Sequence, residues 1–96
     1  MKFAKIILYT ERRLPLSLTC LNMKGNRNQE DVYDAVEDAK SVEDLTDRLV
    51  TIVHDEIIEE RVTDEYVRYR VTDCYGNLHY LKVIFKSSGR RKFSEL

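Results

Sequence analysis

The alternation of apolar and polar residues is most regular between Glu65 and Lys86, where it predicts a β-hairpin. A two-residue period is typical of strands with one buried face, and it occurs on both sides of a short polar break. A three-residue turn at 75–77 keeps the two apolar sets opposite each other, whereas a two-residue turn at 76–77 places arginines opposite them. We therefore predict the three-residue turn, with Val67 opposite Phe85 and Asn77 in the left-handed conformation. The expected inward positions are Val67, Tyr69, Val71, Leu81, Val83 and Phe85.

The first twenty residues contain two further strand patterns. Residues 2–9 are apolar on both faces, which is typical of an interior strand. The stretch from Leu14 to Cys20 alternates again. Because Pro15 cannot donate a hydrogen bond to a neighbouring strand, we expect this second strand at an edge of the sheet.

The hydrophobic period becomes that of an amphipathic helix after Asn28, which with Asp31 three residues on is typical of a helix N-cap. This first helix is predicted over residues 29–40. Its buried stripe is expected to contain Val32, Ala35, Val36 and Ala39.

A second helix is predicted from Val42 to about Glu60. Ser41 and Asp44 repeat the capping pattern, and apolar residues continue at helical spacing beyond them. The β-branched residues within 49–58 also suit a strand, so the pattern leaves this alternative open.

These elements predict an α+β protein with about four antiparallel strands, in the chain order β-β-α-α-β-β, and two helices packed on one face of the sheet. The length of 96 residues indicates a single domain over 1–96. Residues 87–96 are expected to form a flexible basic tail. The apolar run after Met1 is too short for a signal peptide or a membrane span, so we expect a cytoplasmic protein without membrane contact.

Charge is distributed unevenly along the chain, although the net charge is only −1. Residues 28–65 carry fourteen acids and three Lys or Arg, whereas the segments before and after each have a net charge of +5. Helices in this segment predict an anionic surface that binds a basic protein partner. The alternative is a solvated helix face with acids near the helix N-termini. The candidate partner-binding residues are Glu30, Asp31, Asp34, Glu37, Asp38, Asp55, Glu56 and Glu59.

The outward face of the predicted hairpin is basic and aromatic. Arginine and lysine bind phosphates and tyrosine rings stack with bases, so this face and the tail are the candidate site for single-stranded nucleic acid. The alternative is an ordinary solvated strand face, or a surface that contacts a protein. The candidate residues are Tyr66, Arg68, Arg70, Tyr80, Lys82, Lys86, Arg90 and Arg91, with Lys92 beside them.

Few residues suggest metal binding or catalysis. Cys20, Cys74, His54 and His79 lack the spacing of zinc ligands, so we predict no metal and no cofactor. The two cysteines are expected to be buried free thiols rather than a disulfide. Asp73 and His79 lie opposite each other in the predicted register, most simply as a surface ion pair. The sequence therefore favours a protein without catalytic activity.

The last third of the chain contains the short motifs YRVTD at 69–73, VIF at 83–85, GRRK at 89–92 and SE at 94–95. Together they resemble the closing strands and tail of RelE/ParE-type toxins. The resemblance implies a ribonuclease in which Arg90, Arg91 and Lys92 lie near the RNA backbone and His79 or Tyr80 transfers protons. Those toxins open with one strand that leads directly into a helical hairpin, whereas the stretch 14–20 intervenes here.

Small size, the acidic middle segment and the lack of catalytic or cofactor motifs favour a non-catalytic binding protein. We expect it to engage or inhibit a larger host macromolecular machine through its acidic helices, in the manner of accessory proteins of phages and mobile elements. The alternative is a nucleic-acid-binding protein, or a RelE-like ribonuclease, that uses the basic face and tail. A homodimer formed through exposed strand edges is a third reading of the sequence.

Overall fold

A computed structural model describes residues 3–85, which form a five-stranded antiparallel sheet and two α-helices. The predicted α+β class is confirmed, with five strands where about four were expected. The order of strands across the sheet is β2-β1-β5-β4-β3. The predicted tail, 87–96, lies outside the described residues. The strands are β1 (Phe3–Thr10), β2 (Pro15–Leu16), β3 (Glu56–Val62), β4 (Tyr66–Thr72) and β5 (Leu78–Phe85), and the helices are α1 (Gln29–Asp38) and α2 (Val42–Ile52).

The core lies between the two helices and one face of the sheet. The stripe predicted for α1 is confirmed, since Val32, Ala35, Val36 and Ala39 are all buried. Burying a valine, leucine or isoleucine side chain stabilises the fold by about 1.5–3 kcal/mol, so the two-layer packing is the main source of stability. The other buried side chains are Leu45, Leu49 and Ile52 of α2, Leu8, Val67, Tyr69, Val71, Leu81 and Val83 of the sheet, and Leu18, Leu21 and Val53 of the connecting segments.

Side chains cap both helices as the sequence predicted. Asn28 Oδ1 accepts a hydrogen bond from Glu30 N at 2.8 Å, and Asp31 Oδ2 accepts one from Asn28 N at 2.7 Å. Ser41 Oγ accepts one from Asp44 N at 3.0 Å at the start of α2. These bonds satisfy backbone N–H groups that have no partner inside the helix. Some acids of the segment 28–65 therefore stabilise the helices.

Helix α2 is shorter than predicted. It ends at Ile52, and the helix expected to about Glu60 is replaced by strand β3. The end is set by a distant part of the chain, because residues 22–24 pair with residues 52–54 through two backbone hydrogen bonds of 2.7 and 2.8 Å. Lys24 Nζ also donates to Val50 O at 3.0 Å, which satisfies a carbonyl in the last turn. The strand alternative for this segment is therefore correct from residue 56 onward.

The second predicted strand is also shorter than expected. Only Pro15–Leu16 pairs with β1, at the sheet edge as Pro15 indicated, and Leu18–Cys20 forms a 3₁₀ turn. Ser17 Oγ accepts a hydrogen bond from Thr19 N at 3.2 Å, a local bond that competes with strand pairing. The apparent alternation therefore ends in a helical turn, whose Leu18 is buried.

The register of the β4–β5 hairpin differs from the prediction by two residues. Val67 pairs with Val83 rather than Phe85, and the loop spans five residues, 73–77, rather than three. Gly76, with φ of 83°, takes the left-handed conformation expected for Asn77. Because strand faces alternate with a period of two, this shift leaves the inward and outward sets unchanged.

Candidate functional site

The sheet face opposite the helices, which we call the open face, carries no covering helix among residues 3–85. Alternation in β4 and β5 places five members of the predicted nucleic-acid-binding set on it, with Val67 and Val71 buried behind them. The predicted orientation of the hairpin is therefore confirmed. The five members are Tyr66, Arg68, Arg70, Tyr80 and Lys82, while Lys86, Arg90, Arg91 and Lys92 lie outside the described residues.

Strand β1 adds residues to the open face that the sequence reasoning missed. Lys5, Ile7 and Tyr9 lie opposite Ile84, Lys82 and Tyr80 of β5. The sequence indicated an interior strand but not its neighbour, so these side chains had no predicted face. The two-residue spacing of Lys5, Ile7 and Tyr9 places them on one face of β1. Which face of the sheet this is becomes clear only once β1 is paired with β5.

Tyrosine rings and cations on the open face contact one another directly. The rings of Tyr9 and Tyr80 are stacked, with centroids 5.5 Å apart and an interplanar angle of 28°. Arg68 Cζ lies 5.8 Å from the centroid of the Tyr80 ring, and Lys82 Nζ lies 4.2 Å from that of Tyr66. These cation–π contacts hold positive charge beside aromatic surface on β4 and β5, and the Tyr9–Tyr80 stack extends that surface to β1.

Arg68 is held at the centre of this array by a carboxylate from β3. Glu60 Oε1 accepts a hydrogen bond from Arg68 Nε at 2.6 Å, and Glu60 Oε2 lies 3.5 Å from Arg70 Nη2. Burial lowers the pKa of Arg68, but hydrogen bonds to Glu60 and Tyr9 outweigh it and raise the pKa above its usual value. Arg68 therefore stays protonated, and its guanidinium group contacts both the Glu60 carboxylate and the Tyr80 ring of the open face.

The eight acids predicted to bind a partner do not form one helical surface. Five lie at α1, whereas Asp55, Glu56 and Glu59 were expected on a helix and lie beyond its end at Ile52. Asp55 Oδ1 accepts a hydrogen bond from Asn22 Nδ2 at 2.8 Å, and Glu56 lies opposite Thr72. Glu59 Oε2 accepts a hydrogen bond from Thr46 Oγ1 of α2 at 2.6 Å, so it faces the helices. The five at α1 are Glu30, Asp31, Asp34, Glu37 and Asp38.

Some helix acids have structural roles and others do not. Asp31 closes the capping box of α1 and lies 3.8 Å from Arg27. Asp44 accepts hydrogen bonds from Lys40 N and Arg48 Nε, and the bond from Lys40 is the main reason that its pKa is lowered. Within residues 3–85, no hydrogen bond or ion pair is described for the side chains of Glu30, Asp34, Asp38, Glu43 and Asp47.

The residues considered for catalysis are not paired as the sequence predicted. His79 lies opposite Val71 rather than Asp73, so the predicted pairing is wrong. His79 and Tyr80 are consecutive strand residues and therefore point to opposite faces of the sheet. Cys20 and Cys74 are free thiols as predicted, but both are exposed rather than buried.

Two further properties concern residues 3–85 as a whole. They contain no group of three or more His, Cys, Asp or Glu that is arranged to hold a metal ion. None of their helices is long and apolar enough to cross a membrane.

Comparison of the chain with protein-family models, with curated protein sequences and with solved structures finds no match. The resemblance to RelE/ParE-type toxins therefore stays a prediction. Its basic tail residues lie outside the described residues.

Proposed function

We propose that this protein is a non-catalytic binding protein whose open face binds single-stranded nucleic acid. The observation that supports this most is the stacked pair Tyr9 and Tyr80, flanked by Arg68. Aromatic rings with cations beside them suit a strand whose bases stack while its phosphates are neutralised. Double-stranded nucleic acid hides its bases, so a flat face with tyrosines favours the single-stranded form.

The charge of the open face supports the same proposal. Five cations and two carboxylates lie on it among the described residues, whereas the segment from α1 to α2 carries eight acids and two cations. This difference in charge attracts a polyanion to the open face and repels it from the helices. The open-face cations are Lys5, Arg61, Arg68, Arg70 and Lys82, and the carboxylates are Glu56 and Glu60.

A salt titration of a fluorescent oligothymidylate tests this proposal. The logarithm of the association constant is expected to fall with the logarithm of salt concentration by about 0.7 for each phosphate neutralised. The double substitution Arg68→Glu and Arg70→Glu is expected to abolish binding while the circular dichroism spectrum is retained.

A matched control separates the open face from net charge. Arg27→Glu with Lys40→Glu makes the same change in net charge on the helical side of the molecule, and it should leave most of the affinity intact. Equal loss in both double variants would show that the open face is not the binding site.

A second candidate function is binding of a basic protein surface by the helices, as an accessory protein that engages a larger host machine. It is favoured by Asp34, Asp38 and Asp47, which have no described hydrogen bond or ion pair and lie outside the first turns of α1 and α2, where acids stabilise a helix. The test is capture of a stoichiometric protein from nuclease-treated lysate, with loss of that protein in the variant Asp34→Asn with Asp38→Asn. Retention of nucleic acid alone would reject this candidate.

For both candidates we propose a cytoplasmic location, which the exposed free thiols of Cys20 and Cys74 support. We propose that the protein does not pair with a second copy through strand β3. Strand β3 is one of the two edge strands of the sheet, and Glu56, Glu59 and Glu60 and a bulge at 59–61 disfavour its pairing with a second copy.

A further inference from the structure

A small groove opens at the β2 end of the open face. Its volume of about 200 Å³ is below the roughly 300 Å³ of pockets that enclose a whole small molecule, so it has room for only part of a ligand. Its lining combines apolar side chains, one aromatic ring and two cations. These residues are Ile7, Tyr9, Arg13, Pro15 and Lys82.

The loop between β1 and β2 holds Arg13 at this groove. Thr10 N donates to Leu14 O at 2.9 Å, and Arg13 N donates to Thr10 O at 2.8 Å. Thr10 Oγ1 accepts hydrogen bonds from Arg12 N and Leu14 N, both at 3.2 Å. Arg13 has a φ of 65°, a left-handed conformation that is uncommon for a residue with a side chain and is kept here by these bonds.

Tyr9 connects the groove to the rest of the open face. It is stacked on Tyr80 and also lines the groove, so the aromatic surface is continuous between the two. Lys82 likewise lines the groove and reaches the Tyr66 ring. A single-stranded nucleic acid that lies across β4 and β5 therefore reaches the groove when it continues towards β2. Arg13 and Lys82 are among the residues that line the groove there.

We propose that this groove is a subsite for one nucleotide of the bound strand. Its base lies against Tyr9 and Pro15, and its phosphate contacts the guanidinium group of Arg13. The inference rests on the proposed binding of single-stranded nucleic acid, and it adds Arg13 to the residues that carry that binding. Arg12, its neighbour in the loop, does not line the groove.

The pair Arg13→Gly and Arg12→Gly tests the subsite, since both variants lose one arginine from the same loop. Glycine adopts positive φ without strain, so Arg13→Gly should keep or raise the denaturation midpoint. Titration with an oligothymidylate should show Arg13→Gly weakening binding on the order of ten-fold and reducing the salt slope by about 0.7. Arg12→Gly should stay within about two-fold of the wild type, because it loses only a distant charge.

The outcomes separate this inference from the proposed function. If the wild type binds and Arg68→Glu with Arg70→Glu does not, but Arg13→Gly keeps wild-type affinity and slope, the subsite is rejected and the open face stands. Equal weakening by Arg13→Gly and Arg12→Gly also rejects the subsite, because the effect is then one of net charge. If the wild type binds no oligonucleotide, the proposed function fails and the subsite fails with it.

Discussion

Glu60 Oε1 lies 2.6 Å from Arg68 Nε on the open face of the sheet. Glu60, which belongs to the acidic segment 28–65, thus lies among the cations of the open face. The reason is that β3 has a bulge between Glu59 and Arg61, which leaves Glu60 without a partner on β4 and places its carboxylate beside Arg68 and Arg70. The separation of charges predicted from the sequence is therefore incomplete, and the carboxylate limits how much positive charge the face presents.

Glu60→Gln is expected to tighten oligonucleotide binding several-fold. The substitution removes a carboxylate that competes with phosphate for Arg68 and Arg70, so both guanidinium groups become available to the ligand. The same titration should show a steeper salt dependence. Glu56→Gln is the control, because it makes the same charge change on the same strand without a described bond to either arginine. Equal gains in the two variants would contradict the competition and indicate net charge alone.

Tyr80→Ala is expected to weaken binding by about 1–3 kcal/mol, which is the usual contribution of one aromatic–base stack. The loss should depend weakly on salt, because no charge is removed. Tyr75→Ala is the control, since Tyr75 is 86% exposed in the hairpin loop, away from the open face. If oligonucleotide affinity survives Tyr80→Ala, the rings do not contact bases.

Tyr69→Phe is expected to change how stability depends on alkaline pH. Burial raises the pKa of Tyr69 to about 12, while a tyrosine in an unfolded chain has a pKa of about 10. The folded state holds this proton more tightly, so the contribution is complete below pH 10 and is lost as pH rises from 10 towards 12. Urea unfolding of wild type between pH 8 and 11.5 should therefore show a decline that Tyr69→Phe lacks.

Tyr69→Phe also loses a hydrogen bond, and this loss affects stability at neutral pH. The hydroxyl groups of Tyr69 and Thr46 are 2.9 Å apart, and their bond contributes about 1 kcal/mol. Tyr75→Phe should follow the wild type across the whole pH range. A parallel alkaline decline in Tyr69→Phe and wild type would show that other groups cause it.

Asp73→Ala is expected to destabilise the β4–β5 hairpin at neutral pH. Asp73 Oδ1 accepts hydrogen bonds from Tyr75 N and Asn77 N, both at 2.9 Å, which close the five-residue loop. Burial raises the pKa of Asp73, but the bonds from Asn77 and Tyr75 outweigh it and the net pKa is lowered. The stability that this group contributes is therefore present above the unfolded pKa of about 3.9 and is lost as pH falls below it.

Urea midpoints at pH 7 and pH 3 test the role of Asp73. The gap between wild type and Asp73→Ala should be wide at pH 7 and narrow at pH 3. Asp64→Ala is a matched control in the β3–β4 turn, where no side-chain bond of Asp64 is described. A gap of the same size at both pH values would mean that the carboxylate charge does not stabilise the loop.

Several features of the fold were predictable because they depend on residues close together in the sequence. Asn28 and Ser41 cap helices through bonds that span only two or three residues. Arg68 and Arg70 point away from the core because Val67 and Val71 are apolar at alternate positions, and this holds even though the register was wrong. The places of Tyr66, Arg68, Arg70, Tyr80 and Lys82 on the open face followed from this local alternation.

The rest depends on pairings between distant parts of the chain. Helix α2 stops at Ile52 because residues 22–24 pair with 52–54, and no local pattern near Ile52 contains that information.

By itself, then, the sequence determined the faces of the strands, the starts of the helices and the α+β class, because side-chain period and capping act over a few residues. Only the tertiary structure decided that β1 lies beside β5 and β3 beside β4. Those neighbours bring Tyr9 to Tyr80 and Glu60 to Arg68, since strand pairing joins residues that are far apart along the chain.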